Sequence, residues 1–206
     1  MNSVLINGCF DSKTLQTLKQ RGVKEFAFDL RPKSPNLVTL KDLNLCLSHC
    51  STEQLYLTFE NERVETIFSY LNLLKDRPFT FTLIFRDQRD PYYYQSLNQR
   101  FYWMFNPEAA WEEILHLPKL TGLLLPLKYQ EFYRSSAKLW SLIDEKNLDV
   151  YLHAETFEET LFMNLSQEMK LSLDLSPEVE TSYRSVDQEK LSRMKIWSRV
   201  HENPSL

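Results

Sequence analysis

The stretch "VLINGCFDSKTLQTLKQRGVKEFAFDL", residues 4–30, carries the local pattern on which the fold turns. Residues 4–6 are a short apolar run and residues 25–30 a second, mostly apolar one. Both read as strands. Between them, residues 12–21 place Leu15 and Leu18 on one helical face and stop at Gly22, which gives strand, helix, strand. The same unit recurs to the end of the chain. Further strands are predicted at 54–59, 79–85, 101–105, 120–125, 148–152 and 170–175. Helices are predicted at 12–21, 40–50, 64–74, 92–99, 109–115, 130–145, 157–165 and 187–200.

Eight strand–helix units with short connections imply parallel strands joined by helical crossovers. Eight units point to an α/β fold of the closed (βα)₈ TIM-barrel type, a single domain over residues 1–200 with a frayed tail at 201–206. A doubly wound open sheet is the alternative, but it rarely needs eight repeats. In a barrel the chemistry sits at the C-terminal ends of the strands. That singles out Asn7 and Cys9, Asp29 and Arg31, Glu60 and Asn61, Arg86 and Asp87, Asn106, Pro126, His153 and Glu155, and residues 174–178 with Ser176 and Glu178.

Composition narrows the partners. The chain has 206 residues, 43% hydrophobic and 25% charged, with a formal net charge of −4, which gives no support for nucleic acid or an anionic membrane as partner. No apolar run reaches the length of a membrane span, and the N-terminus does not read as a signal peptide. Three cysteines form no disulfide framework, so a reducing, cytoplasmic setting is expected. Only three glycines are present, few for an enzyme that cradles phosphate in backbone loops. No cofactor is expected. Cys46-x-x-His49-Cys50 has metal-like spacing but lacks a second cluster to complete four ligands, so core packing is the expected role and no metal site is assigned.

Two stretches resemble phosphoribosylanthranilate isomerase. "FAFDLRPKSPNLVT", residues 26–39, is similar to that family's second strand and loop, Gly-Phe-x-Phe-x-Pro-Lys-Ser-Pro-Arg-x-Val/Ile. "LDLSPEVETSYRSVDQEKL", residues 173–191, is similar to its last strand and helix, and "LINGC", residues 5–9, falls where the family has Lys-Ile-Cys-Gly. The resemblance implies a barrel evolved for an Amadori rearrangement in tryptophan biosynthesis. A cysteine at the end of strand one would be general base, an aspartate at the end of strand six general acid, and glycine-bearing loops after strands seven and eight would grip the phosphate. Carried over residue by residue, the resemblance places Asn7 at the base position and Pro126 at the acid position. His153-Ala154-Glu155 and Pro177-Glu178 stand in the phosphate loops, and Asn36 replaces the arginine expected to face the substrate carboxylate. A carboxamide has no usable base near neutral pH and proline no proton to give. Glu155 and Glu178 put negative charge where a phosphate of about −1.5 to −2 would sit.

The expectation is therefore a catalytically degenerate barrel, a ligand- or protein-binding pseudoenzyme. Asn7, Asp29, Arg31, Asn36, Asn61, Arg86, His153, Glu155, Ser176 and Glu178 are the candidate ligand-binding residues. One alternative is a barrel enzyme with shifted chemistry using Cys9, Asp29, Asp87 or His153. The other is an active isomerase with Cys9 as a rescued base. Against these stand plainer readings: Cys9 as a small buried side chain, Asp29 in an internal ion pair such as Asp29–Arg86, and Glu155, Glu158 and Glu159 as a solvated helix N-terminus. The aromatic-rich segment 89–105 holds Tyr92, Tyr93 and Tyr94, which cannot all face inward on one helix. They are either a protein-contact patch or a helix packed on the barrel. A monomer or homodimer is expected.

Overall fold

The first unit forms as its residues dictate. β1 (Val4–Asn7) ends at Gly8, whose φ of +78° lies in the left-handed region. A Cβ there would stand 2.6 Å from Asn36 Nδ2, so the loop after β1 packs directly on a second loop. α1 (Ser12–Gln20) starts at Asp11, whose carboxylate accepts from Thr14 N at 2.8 Å. β2 (Glu25–Asp29) follows and lies parallel to β1.

A computed structural model describes residues 4–87, 89–156, 159, 170–175, 180–182, 185–187 and 189. The later elements are α2 (Leu40–Leu47), β3 (Gln54–Phe59), α3 (Val64–Leu74), β4 (Phe81–Phe85), α4 (Pro91–Leu97), β5 (Phe101–Met104), α5 (Trp111–Leu115), β6 (Leu120–Pro126), α6 (Gln130–Ser135), α7 (Ala137–Lys146), β7 (Asp149–Ala154) and β8 (Lys170–Asp174). Every strand pairs in parallel with the next, and β8 closes on β1 with Asp174 opposite Asn7. The expected single-domain (βα)₈ barrel is what the chain forms. A short antiparallel pair, β9 (Glu180–Ser182) and β10 (Ser185–Val186), was not expected from the sequence. Most of the predicted helices at 157–165 and 187–200, and the tail at 201–206, lie outside the described residues. Among the described residues no helix is long and apolar enough to cross a membrane.

The single helix expected over 130–145 is two. Ser136 (φ −91°, ψ 83°) leaves the helical region and caps α7, its hydroxyl accepting from Leu139 N. The preceding Ser135 donates back to the carbonyls of Glu131 and Phe132, a local bond that competes with the helical ladder.

Two cores separate by strand alternation. One set of side chains packs under the helices around Phe26, Phe59, Phe85, Trp103 and Leu123. The other fills the barrel interior with Leu5, Ala27, Tyr56, Ile84, Tyr102, Met104, Leu124 and Tyr151. At the N-terminal end Tyr102 donates to Asp149 and Tyr151 to Glu25, so these two interior tyrosines satisfy their hydroxyls at the rim. Gly122 lets Tyr102 lie flat against β6. A Cβ there would meet the ring at 2.3 Å and the Asp149 carbonyl at 2.5 Å. Gly122→Ala is expected to lower stability by about 1–3 kcal/mol through overpacking, seen as a lower urea midpoint at constant m. An unchanged midpoint would mean that ring and strand yield freely.

Candidate functional site

Moving two residues along most strands from the apolar interior layer reaches a mostly polar one. From Leu5 one arrives at Asn7, from Ala27 at Asp29, from Ile84 at Arg86, from Leu124 at Pro126 and from Tyr151 at His153; β8 supplies Ser172 and Asp174. Most of these side chains are joined. Asn7 Nδ2 donates to Ser172 Oγ at 2.6 Å. Ser172 Oγ lies 3.0 Å from His153 Nδ1. A hydroxyl that accepts from Asn7 is free to donate to Nδ1, which leaves the imidazole proton on Nε2. That nitrogen faces Asp174 Oδ1 at 3.6 Å. Asp174 Oδ2 then accepts from Arg86 Nη1 at 2.6 Å. Burial would push the Asp174 carboxyl up, but Arg86 and His153 outweigh it and hold the group well below the ordinary carboxylate range.

A second pair stands beside this one. Arg31 binds Asp29 through Nε at 2.8 Å and Nη2 at 2.6 Å, a bidentate fork, and Ser34 Oγ donates to the same carboxylate. The expected Asp29–Arg86 pair does not form. Arg31, two residues along the chain, takes Asp29, while Arg86 crosses the barrel to Asp174. The outer contacts are longer: Arg31 Nη1 to Glu60 at 3.4 Å and Arg86 Nη2 to Glu155 at 3.8 Å. Lys128, just beyond β6, holds Glu155 at 3.0 Å. Between these groups lies a cavity of about 250 Å³, with Arg31, Glu60, Arg86, Lys128 and Glu155 around it and Met104, Phe105 and Pro126 as its apolar part.

The structure sorts the remaining candidates. Cys9 is fully buried in the outer core, away from the interior layer, and its thiol is pushed well up by burial, with Cys46 and Asp11 adding to the effect. Burial likewise raises Cys46 to about 12 and Cys50 to about 11. Among the described residues no group of His, Cys, Asp and Glu is placed to hold a metal ion. Asp87 is buried outside the mouth, where it accepts from Asn61 N and Tyr94 Oη and pairs with Arg89 at 3.6 Å. Asn61 takes a left-handed φ of +62° to make that turn. Asp29, Asp87 and Asp174 are thus three separately paired acids and share no site. Asn36 is buried, its Nδ2 donating to the Leu175 carbonyl, so it clamps two loops together. Glu155 is held by Lys128, while Glu159 accepts from Glu155 N and Thr156 N and donates its own N–H to Thr156 Oγ1, the reciprocal cap of a helix start. The tyrosines part company: Tyr94 is buried, Tyr93 is half-buried with its hydroxyl on the Glu62 carbonyl, and Tyr92 alone is 75% exposed. No aromatic cluster is exposed there. Ser176, Glu158 and Glu178 lie outside the described residues. Ser172 and Lys128 were missed from sequence. Ser172 lies two residues before Asp174 on one strand face, a period-two signal that could have found it.

The backbone places this mouth in a known frame. The solved phosphoribosylanthranilate isomerase of Thermus thermophilus superposes with a TM-score of 0.65 at 18% identity, over 96% of this chain and 98% of that one. The chain has the fold of phosphoribosylanthranilate isomerase. Monomers generated from the dimeric Thermotoga maritima enzyme give a TM-score of 0.67 at 15% identity, over 97% and 99% of the two chains. A phosphoribosylanthranilate isomerase solved with reduced 1-(o-carboxyphenylamino)-1-deoxyribulose 5-phosphate gives 0.65 at 15%, over 97% of each. No family model matches the sequence, and no characterised protein matches it significantly.

Two measurements test this site. In the native protein Cys9 and Cys46 are expected to resist alkylation at pH 8 and to react only on unfolding; rapid native labelling of Cys9 would contradict its buried, neutral state. Asp174→Asn is expected to cost about 2–4 kcal/mol at pH 7, since it strands Arg86. The folded carboxyl titrates below its unfolded value of about 3.9, so its contribution is present above that pH and lost as pH falls toward the folded value. The gap between wild type and Asp174→Asn in denaturant melts should therefore narrow below about pH 4. A gap independent of pH would show that Asp174 contributes by shape alone.

Proposed function

We propose that the barrel is a catalytically degenerate relative of phosphoribosylanthranilate isomerase that binds a small molecule at its mouth and does not isomerise phosphoribosylanthranilate. One observation carries this reading. The ends of β1 and β6, where the resemblance expects general base and acid, carry Asn7 and Pro126. Neither can move a proton near neutral pH, and Asn7 is already engaged with Ser172. The nearest thiol, Cys9, is buried in the outer core and kept protonated. The shifted-chemistry alternative finds no free acid in Asp29 or Asp87, because each is bound by its own partners.

Charge points the same way. Counting Arg31, Arg86 and Lys128 against Asp29, Glu60, Glu155 and Asp174 gives 3 − 4 = −1 around the mouth with His153 neutral. A phosphate dianion finds no excess of positive charge there. The exposed-aromatic route to a protein partner loses its basis once Tyr94 and Tyr93 are packed away, which favours the pocket over a surface role. A cytoplasmic protein without cofactor, monomeric or homodimeric, fits this reading.

Loss of general base and acid typically costs about 10²–10⁴ in rate each. The purified protein is therefore expected to leave phosphoribosylanthranilate fluorescence decaying at the uncatalysed rate, at least about 10⁴-fold below a working enzyme. The Asn7→Cys, Pro126→Asp double variant serves as a comparison for whether the lost pair alone limits turnover. Clear wild-type turnover, abolished by Cys9→Ala, would sink the reading and make Cys9 the base.

A further inference from the structure

The ends of β3 and β4 place an acid beside a base. Phe59 pairs with Phe85, and Arg86 N donates to the Phe59 carbonyl at 3.1 Å, so Glu60 and Arg86 are the next residues side by side. Neighbouring strands lie about 4.8 Å apart. Both side chains line the mouth cavity. Each is only partly used. The Glu60 carboxylate is 40% exposed and meets Arg31 at 3.4 Å. Arg86 spends Nη1 on Asp174 at 2.6 Å, but its Nη2 stops 3.8 Å from Glu155, beyond hydrogen-bond range.

We propose that the mouth binds a small zwitterion of the α-amino-acid type, its carboxylate on Arg86 Nη2 and its ammonium on Glu60. This rests on the reading of the mouth as a ligand pocket. Three considerations favour a zwitterion over other small molecules. An anion alone would add to a site already at −1, whereas a net-neutral ligand leaves that sum unchanged and still satisfies one donor and one acceptor. An amine alone would leave Arg86 Nη2 without a close partner in a shielded place. Glu60 and Arg86 line one cavity of about 250 Å³, so a small ligand that carries both charges can meet both. About 250 Å³ is small even against the roughly 300–1,000 Å³ of drug-sized sites, which suits a small ligand.

The test is titration calorimetry with thermal melts on the full chain. The probes are the standard L-amino acids one at a time, with succinate, inorganic phosphate and putrescine as single-charge-type controls. The variants are Glu60→Gln, a half-exposed change expected to fold, and Arg86→Lys, which keeps a cation for Asp174 but loses the second arm of the fork. At least one amino acid should raise Tm by about 5 °C or more at a hundredfold excess over Kd. Its affinity should fall at least tenfold in both variants, while the controls give no shift. Binding of an amino acid that survives both substitutions overturns the placement. Binding only of succinate, phosphate or putrescine, lost in the variants, overturns the zwitterion while leaving a ligand-binding mouth. No binding by any probe at millimolar concentration overturns both. Isomerase turnover, measured separately, decides the loss of catalysis independently of all these outcomes.

Discussion

The ion pair between Arg86 and Asp174 organises the mouth of this barrel. β4 and β8 stand on opposite sides of an eight-stranded ring, so a 2.6 Å contact between their end residues is a strut across the opening. Two charges removed from water repay their desolvation only when geometry is good and the remaining polar atoms find partners. Asp174 meets this in part: Oδ2 accepts from Arg86, while Oδ1 stands 3.6 Å from His153 Nε2, beyond hydrogen-bond range, and His153 in turn is fixed by Ser172 and Asn7. The strut therefore does more than hold β4 to β8. It draws β1, β7 and β8 into one hydrogen-bonded layer beneath the opening. The cavity that remains is lined, among the described residues, from β2 through β7 and not from β1 or β8.

The opposite end of the barrel shows what the strut replaces. There Tyr102 and Tyr151 run through the apolar layer and end on Asp149 and Glu25, with Lys170 on Asp149 at 2.5 Å. These are rim contacts near water, worth little individually. They suit the face of a (βα)₈ barrel that ordinarily serves stability. The C-terminal face carries similar stitching, with less exposed groups.

Much of this architecture was legible in the sequence, because strand and helix periods need no tertiary information. Residues 54–59 and 64–74 read correctly to the residue, the first as a short, mostly apolar run and the second from apolar residues recurring at helical spacing. The site positions were legible as positions, since strand ends follow from strand assignments. Their partners were not. Asp29 and Arg86 share the polar layer, and nothing local says that Arg31 will fold back on Asp29 while Arg86 spans the ring. Pairing across a barrel depends on which residues face each other through space, and one sequence carries no record of that. The break at Ser136 was hidden for another reason: two adjacent serines are tolerated in a helix, and only the bonds they choose decide. The Tyr92–Tyr94 run shows the middle case. The sequence required the three rings to diverge, and the packing of Tyr94 on Phe85 and Phe101 decided which way.

The polar residues at the C-terminal ends of β1, β7 and β8 are better explained as a set than one by one. A lone carboxamide inside a barrel is a buried polar group without a partner, at about 1–3 kcal/mol. Here Asn7 has Ser172, Ser172 has His153, and His153 faces the carboxylate that Arg86 neutralises. Each member makes the next one tolerable. An Asn7 with no serine to receive its amide, or an Arg86 with no aspartate across the ring, would be costly alone. The mutual fit makes the layer one connected unit across β1, β7, β8 and the end of β4. A polar cavity remains beside the strut, with Glu60 and Arg86 only loosely engaged.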